Sequence, residues 1–144
     1  PCDIAWIRSI REQCQGAGGR MIATQLKTGE RLWSINVAGT QAPWVAGGSV
    51  FVVDTEGKLM AVGRHDGKIQ WTTKLTGGPT WSGPTLAGGT LWLVSNKGQL
   101  VGVDAISGRV TADQGLGAPM YIAPVVAQGK MFVLTDEAKL IGLN

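Results

Sequence analysis

An all-β fold, built from one four-stranded antiparallel sheet repeated along the chain, is what this sequence predicts, and three observations carry the prediction. The first is spacing. Pro43, Pro84 and Pro124 stand 41 and 40 residues apart, Leu59, Leu100 and Leu140 likewise, and Gly29, Gly67 and Gly108 stand 38 and 41 apart. The second is that each unit holds four short apolar runs separated by turn residues. The third is that the unit shows no helical periodicity and carries too many turn glycines for a helical solenoid repeat of similar length. A repeat of about 40 residues with four strands is the signature of a propeller blade. The expected architecture is a partial β-propeller of three to four blades.

Residues 1–20 do not fit the repeat and read as a separate N-terminal segment, of structural or of artefactual origin. Asp3 suits the cap of a short helix over 4–14, with Trp6, Ile7, Ile10 and Cys14 spaced for helical faces and Gly16 as the stop. The same residues also suit a strand with both faces apolar; the helix is preferred. The propeller region, 21–144, begins in mid-blade. Residues 21–26 match 59–64 as a third strand, Thr28-Gly29 is a turn, and 30–37 is a fourth strand with Trp33, Ile35 and Val37 on one face. Its first and second strands are missing or replaced by residues 1–20.

The second blade is complete, with strands at 43–45, 50–53, 59–62 and 69–75. Its middle strands are nearly continuous in apolar residues, as suits strands covered on both faces. In the last, Ile69, Trp71, Thr73 and Leu75 alternate with Gln70, Thr72 and Lys74. The third blade repeats the plan to about Gln114, with Ala112 where Trp33 and Trp71 stand. The fourth has strands at 123–126, 130–135 and 139–143 and no fourth strand. The repeat region thus reads as thirteen strands, grouped two, four, four and three.

The residues singled out are assigned to blade packing. Glycine supplies positive φ at turns such as Glu56-Gly57, Lys97-Gly98 and those of Gly29, Gly67 and Gly108. Pro43, Pro84 and Pro124 open the innermost strands, where a lost N–H is tolerated. Trp33 and Trp71 offer flat surfaces between adjacent sheets.

Composition bounds the rest. Glycine is 22 of 144 residues, about twice the usual share. Hydrophobic content is 44%, too high for a disordered chain. The net charge of +3 is small and scattered, which argues against nucleic acid as a partner. No run is long and apolar enough to span a membrane, and no signal peptide is visible. Cys2 and Cys14 form one disulfide or are both free. His65, the single histidine, sits beside a turn and is expected exposed. No His/Cys cluster suggests a metal. The run 54–57 lacks calcium-loop ligand spacing and reads as a hairpin turn. No G-x-S-x-G motif or phosphate-cradling glycine loop is present. No catalytic, cofactor-binding or metal-binding residue is assigned.

The runs ATQLKTGERLW over 23–33 and AVGRHDGKIQW over 61–71 share the pattern A-x4-[TD]-G-x3-W, and each blade opens with a motif like APVVAQG over 123–129. These motifs resemble the PQQ-type β-propeller repeat. Residues 21–144 are further similar to the C-terminal part of the BamB family, the lipoproteins of the bacterial outer-membrane β-barrel assembly machinery. The similarity includes a blade whose outer strand, 109–114, lacks Trp, and a close on the third strand LIGL at 140–143. The resemblance implies a non-catalytic, eight-bladed propeller without cofactor at the periplasmic face of the outer membrane. It would dock on the barrel-inserting subunit BamA and assist unfolded client proteins. The family's partner contacts lie on blades nearer the middle of the full chain, so no partner-contact residue is carried over.

Half a ring leaves strand edges and apolar faces open, and closure as a homodimer is expected. Two other readings stand beside the scaffold. One is a fragment of a quinoprotein dehydrogenase, a class that needs a calcium site and an Asp base. The other is a PQQ-type propeller with a different binding role.

Overall fold

The chain pairs into four separate antiparallel meanders (the computed structural model describes residues 4–11, 19–25, 28–37, 43–76 and 80–143). The first sheet joins β1 (Ile4–Arg11), β2 (Gly19–Gln25) and β3 (Arg31–Ile35). The second joins β4 (Trp44–Ala46), β5 (Ser49–Val53), β6 (Lys58–Gly63) and β7 (Ile69–Lys74). The third joins β8 (Trp81–Ala87), β9 (Thr90–Ser95), β10 (Gln99–Asp104) and β11 (Val110–Gly115). The fourth joins β12 (Val125–Ala127), β13 (Lys130–Leu134) and β14 (Leu140–Leu143). Within each sheet the strands pair in chain order, and no helix occurs among the described residues. The strand β8 touches β4 and β5 on one side and β12 on the other, so the first strands of successive sheets line up as the inner edge of a fan. This is a partial β-propeller.

Strand parity explains how the fan holds together. Side chains alternate across a pleated strand, so a middle strand that is apolar throughout serves two neighbours at once. In the second sheet, Val50, Val52, Met60 and Val62 pack against Met21, Ala23, Trp33 and Val37 of the first. The intervening Phe51, Val53, Leu59 and Ala61 pack the other way, against Leu91, Leu93, Val101 and Val103 of the third. Val94 and Leu100 then meet Met120 and Val133 on the side of the fourth. Each seam is a hydrophobic core of its own. At the inner edge, the Ser82 hydroxyl donates to the Tyr121 carbonyl at 2.8 Å and the Thr85 hydroxyl to the Pro124 carbonyl at 2.7 Å.

Three sequence expectations are corrected. In place of a helix over 4–14, Ile4–Arg11 is a strand paired antiparallel with β2, from Arg8↔Ile22 to Arg11↔Gly19. It completes a three-stranded first sheet, since β2 needs a ladder partner on its inner side. Asp3, Cys2, Cys14 and Gly16 lie outside the described residues. Second, Ile69 does not share the buried side of Trp71; it is 53% exposed. The ladder pairs Ala61 with Trp71 but Val62 with Ile69, so Gln70 is an extra residue. A one-residue bulge flips the parity of what precedes it. The same irregularity precedes Trp33 in β3 and Ala112 in β11. Third, Pro84 lies inside β8 rather than at its start. Gly83 and Pro84 fall in a register break between Ser82 and Thr85, where the missing N–H leaves no ladder bond unmade.

Candidate functional site

The residues expected to pack the blades come together at two of the three seams. Trp33 stands at the end of the first sheet, and its indole N–H donates to the Arg64 carbonyl of the second at 2.7 Å. Trp71 repeats this one sheet later, donating to the Ala105 carbonyl at 3.2 Å. Each ring lies flat on a glycine of the neighbouring turn. A Cβ on Gly67 would come within 2.8 Å of the Trp33 ring, and one on Gly108 within 2.6 Å of the Trp71 ring. Both glycines have positive φ, 71° and 74°, so conformation and contact both select glycine. The Thr73 hydroxyl adds a bond to the Gly108 carbonyl. Phe51 stands beside Trp71 with ring centroids 6.2 Å apart.

The remaining packing candidates are placed differently. Gly29 has the same positive φ, 71°, but nothing within 4 Å of a Cβ built on it. Pro43 precedes β4 and is half-buried, Pro84 is buried within β8, and Pro124 is buried just before β12. At the third seam Ala112 leaves the position of the indole unfilled. A groove of about 470 Å³ opens there, lined among others by Trp92, Leu100, Ala112, Met131 and Leu143.

The turns are held by repeated local acceptors. Between the second and third strands of their sheets, Asp54, Ser95 and Thr135 occupy one position. The Asp54 carboxylate accepts from the Glu56 and Lys58 N–H groups at 2.9 and 2.8 Å, the Ser95 hydroxyl from those of Lys97 and Gln99 at 3.2 and 3.1 Å, and Thr135 from Lys139 at 3.2 Å. This local bonding is what the run 54–57 does. In the next turn of the third sheet, Asp104 accepts from the Ser107 and Ile106 N–H groups at 2.8 and 2.9 Å, which holds its carboxyl below the usual aspartate range. The second sheet has Gly63 at that place. Oδ1 of Asp66 fills the vacated space, so closely that a Cβ on Gly63 would collide with it, and accepts from the Lys68 N–H at 3.0 Å. His65 is exposed in this turn. Among the described residues no three His, Cys, Asp or Glu side chains come together.

The strand β14 has one hydrogen-bonded neighbour among the described strands, β13. The face of the fourth sheet turned away from the third exposes Val125, Leu134 and Leu140. Sequence reasoning missed the Arg64 and Ala105 carbonyls and the Ser82 and Thr85 hydroxyls. The first pair was detectable, since 64 and 105 are 41 apart, one repeat. The second pair carried no signal beyond flanking Pro84.

Comparison with known proteins places this geometry. A model of the family described as outer membrane protein assembly factor BamB matches residues 13–73 and 71–144. No curated protein sequence gave a match. Among solved structures, BamB from Moraxella catarrhalis superposes with a TM-score of 0.72 at 18% identity, over 90% of this chain and 43% of that one. The quinohemoprotein alcohol dehydrogenase ADHIIG from Pseudomonas putida HK5 gives 0.61 at 16% identity, over 70% and 17%. The computationally designed protein Ika4 gives 0.69 at 12% identity, over 88% and 82%. At such identities the superpositions show the fold, and the chain spans under half the length of the BamB structure. With two successive matches of the family model running from residue 13 to residue 144, and with a repeated indole-on-glycine seam between its sheets, this chain belongs to the BamB family of outer membrane protein assembly factors.

Proposed function

We propose that this chain serves as a non-catalytic scaffold of the outer-membrane β-barrel assembly machinery, working at the periplasmic face of the outer membrane. In this reading it binds a BamA-type subunit and unfolded client polypeptides, and copies associate to close the partial ring. Family membership supports the setting. The observation that motivates the binding mode is the outer side of β14, which pairs with no second strand among the described residues. An extended client segment can add to such an edge by backbone hydrogen bonding, with little demand on its sequence. That suits a factor handling many unfolded chains.

Two measurements test it. Purified BamA is expected to be retained on the immobilised chain; no retention, with the chain folded by circular dichroism, counts against the docking role. A peptide of sequence IQWTTK, copied from β7, is expected to bind as a fourth strand of the last sheet, read by fluorescence anisotropy. The same peptide N-methylated at alternate residues is expected to lose that binding. Equal binding of both peptides would sink the edge mechanism.

The likeness to a quinohemoprotein alcohol dehydrogenase favours a second reading, an enzyme fragment that holds PQQ. The residues present do not fit that group, because no acidic or His cluster assembles among the described residues to hold the metal that class needs. Incubation with PQQ and calcium is expected to give no dye-linked alcohol oxidation. Cofactor-dependent dye reduction would move the chain into the enzyme class.

A further inference from the structure

The seam between the second and third sheets carries a groove on the rim where third strands turn into fourth strands. It holds about 400 Å³ and is lined by Ala46, Phe51 and Gln70 from the second sheet and by Leu86, Ala105 and Ile106 from the third, among others. Both sheets have a further neighbour packed on the far side. The groove beside Ala112 is the same feature one repeat on, since its Ala87, Trp92, Val126 and Gly129 are the counterparts of Ala46, Phe51, Leu86 and Gly89. Ala105 takes the place that Arg64 holds in the second sheet. Arg64 is half-buried, with Nη1 donating to the Gly47 carbonyl at 3.4 Å. Ala105 has no side chain to reach across its own turn in that way.

The groove is apolar where it is open. Ile106 on its lip is 89% exposed. Val110, 49% exposed, lies on the same side of the third sheet, because it pairs with Val103, a member of the core at this seam. Apolar side chains exposed together beside a groove mark a contact surface. Its polar equipment is a set of donors. The Ser49 hydroxyl donates to Gln70 Oε1 at 2.8 Å, which fixes the amide and leaves its two N–H groups for a ligand. Lys68, two residues before Gln70, and Arg109, its counterpart in the third sheet, make no ion pair among the described residues. The acids of the same two turns, Asp66 and Asp104, accept from backbone N–H groups of those turns. The ion pairs Lys58–Glu56 and Lys139–Glu137 stand on the opposite rim, at the turns between second and third strands.

We propose that this groove holds a short exposed segment of a partner protein, an aliphatic side chain flanked by carboxylates. The aliphatic group rests against Phe51, Leu86 and Ile106, and the neighbouring carboxylate is met by the Gln70 N–H groups and by Lys68. This inference goes beyond the scaffold reading above and does not rest on it.

Nitrogen-15 NMR titration of the full chain with the acetylated peptide Asp-Asp-Leu-Asp-Asp tests it. Saturable shifts are expected at Ser49, the Gln70 side-chain amide, Gly89 and Ile106. The peptide Lys-Lys-Leu-Lys-Lys is expected to bind at least fivefold more weakly, and added salt to weaken the acidic peptide. Ile106→Asp changes an exposed position, and Ala105→Arg supplies the residue type that the second sheet carries there; each is expected to weaken binding at least fivefold while the rest of the spectrum stays folded. No saturable shift at the groove overturns the proposal, as does equal binding of the two peptides or full affinity in both variants. Peptide binding without BamA retention would leave the groove standing and remove the assembly role, and retention without peptide binding would do the reverse.

Discussion

Gly67 and Gly29 share a backbone conformation and differ in one respect: an indole ring lies on the first and not on the second. Substituting alanine at both therefore separates two costs. At Gly29 only the left-handed backbone is strained, about 1 kcal/mol. At Gly67 the methyl must also displace Trp33, and overpacking brings the total to about 3 kcal/mol. Urea unfolding of Gly67→Ala and Gly29→Ala checks this; equal losses would mean that the ring contact contributes nothing. Asp104 makes a second prediction at this scale. Its N–H donors, Ser107 first and then Ile106, lower the carboxyl pKa in the folded chain. A folded value below the unfolded one adds stability above the unfolded value of about 3.9, and that stability is lost as pH falls through the folded value. The carboxyl carbon of Asp104 is expected to titrate by NMR below that of a peptide aspartate, and Asp104→Asn to flatten the corresponding part of the acid unfolding curve.

The strand-to-strand turns show how one position can be filled by different chemistry. Asp54, Ser95 and Thr135 each offer an oxygen to the N–H groups that follow. Ser95→Ala leaves the Lys97 and Gln99 N–H groups without this acceptor, in a residue that is fully buried. A loss of about 1–2 kcal/mol is expected in denaturant unfolding; an unchanged midpoint would show that water replaces the hydroxyl. The strands themselves were legible because proline, leucine and glycine recur at a fixed interval, and no packing knowledge is needed to count it. The bulge ahead of Trp71 was not legible. It is a property of the ladder, and Ile69, Trp71 and Thr73 alternate in sequence as though no residue were extra. Nor was β1. A short run with Trp6, Ile7 and Ile10 satisfies either period, and only the free inner edge of β2 decides for a strand. The three runs of the last unit were readable and match the three described strands of its sheet, whereas the indole acceptors are main-chain carbonyls, which leave no mark in residue type.

Across the molecule, burial falls from the middle of the fan to its end. The second and third sheets have cover on both sides, and their middle strands β5, β6, β9 and β10 are almost wholly buried. Among the described residues the fourth has cover on one side, and every residue of β12 is exposed. Amide exchange is expected to be slowest in β5, β6, β9 and β10 and fastest in β12 and β14, since local opening follows the apolar contact that must be broken. Uniform protection across the four sheets would show that the fan opens only as a whole. The seams differ in a further way. Two are bolted by an indole that both fills the gap and bonds across it; at Ala112 the bolt is absent and the groove stands open. Under mechanical load or mild heat the last sheet would part first at the rim beside Ala112 and swing as a flap about the inner edge, where Ser82 and Thr85 hold it, while the other three stay clenched.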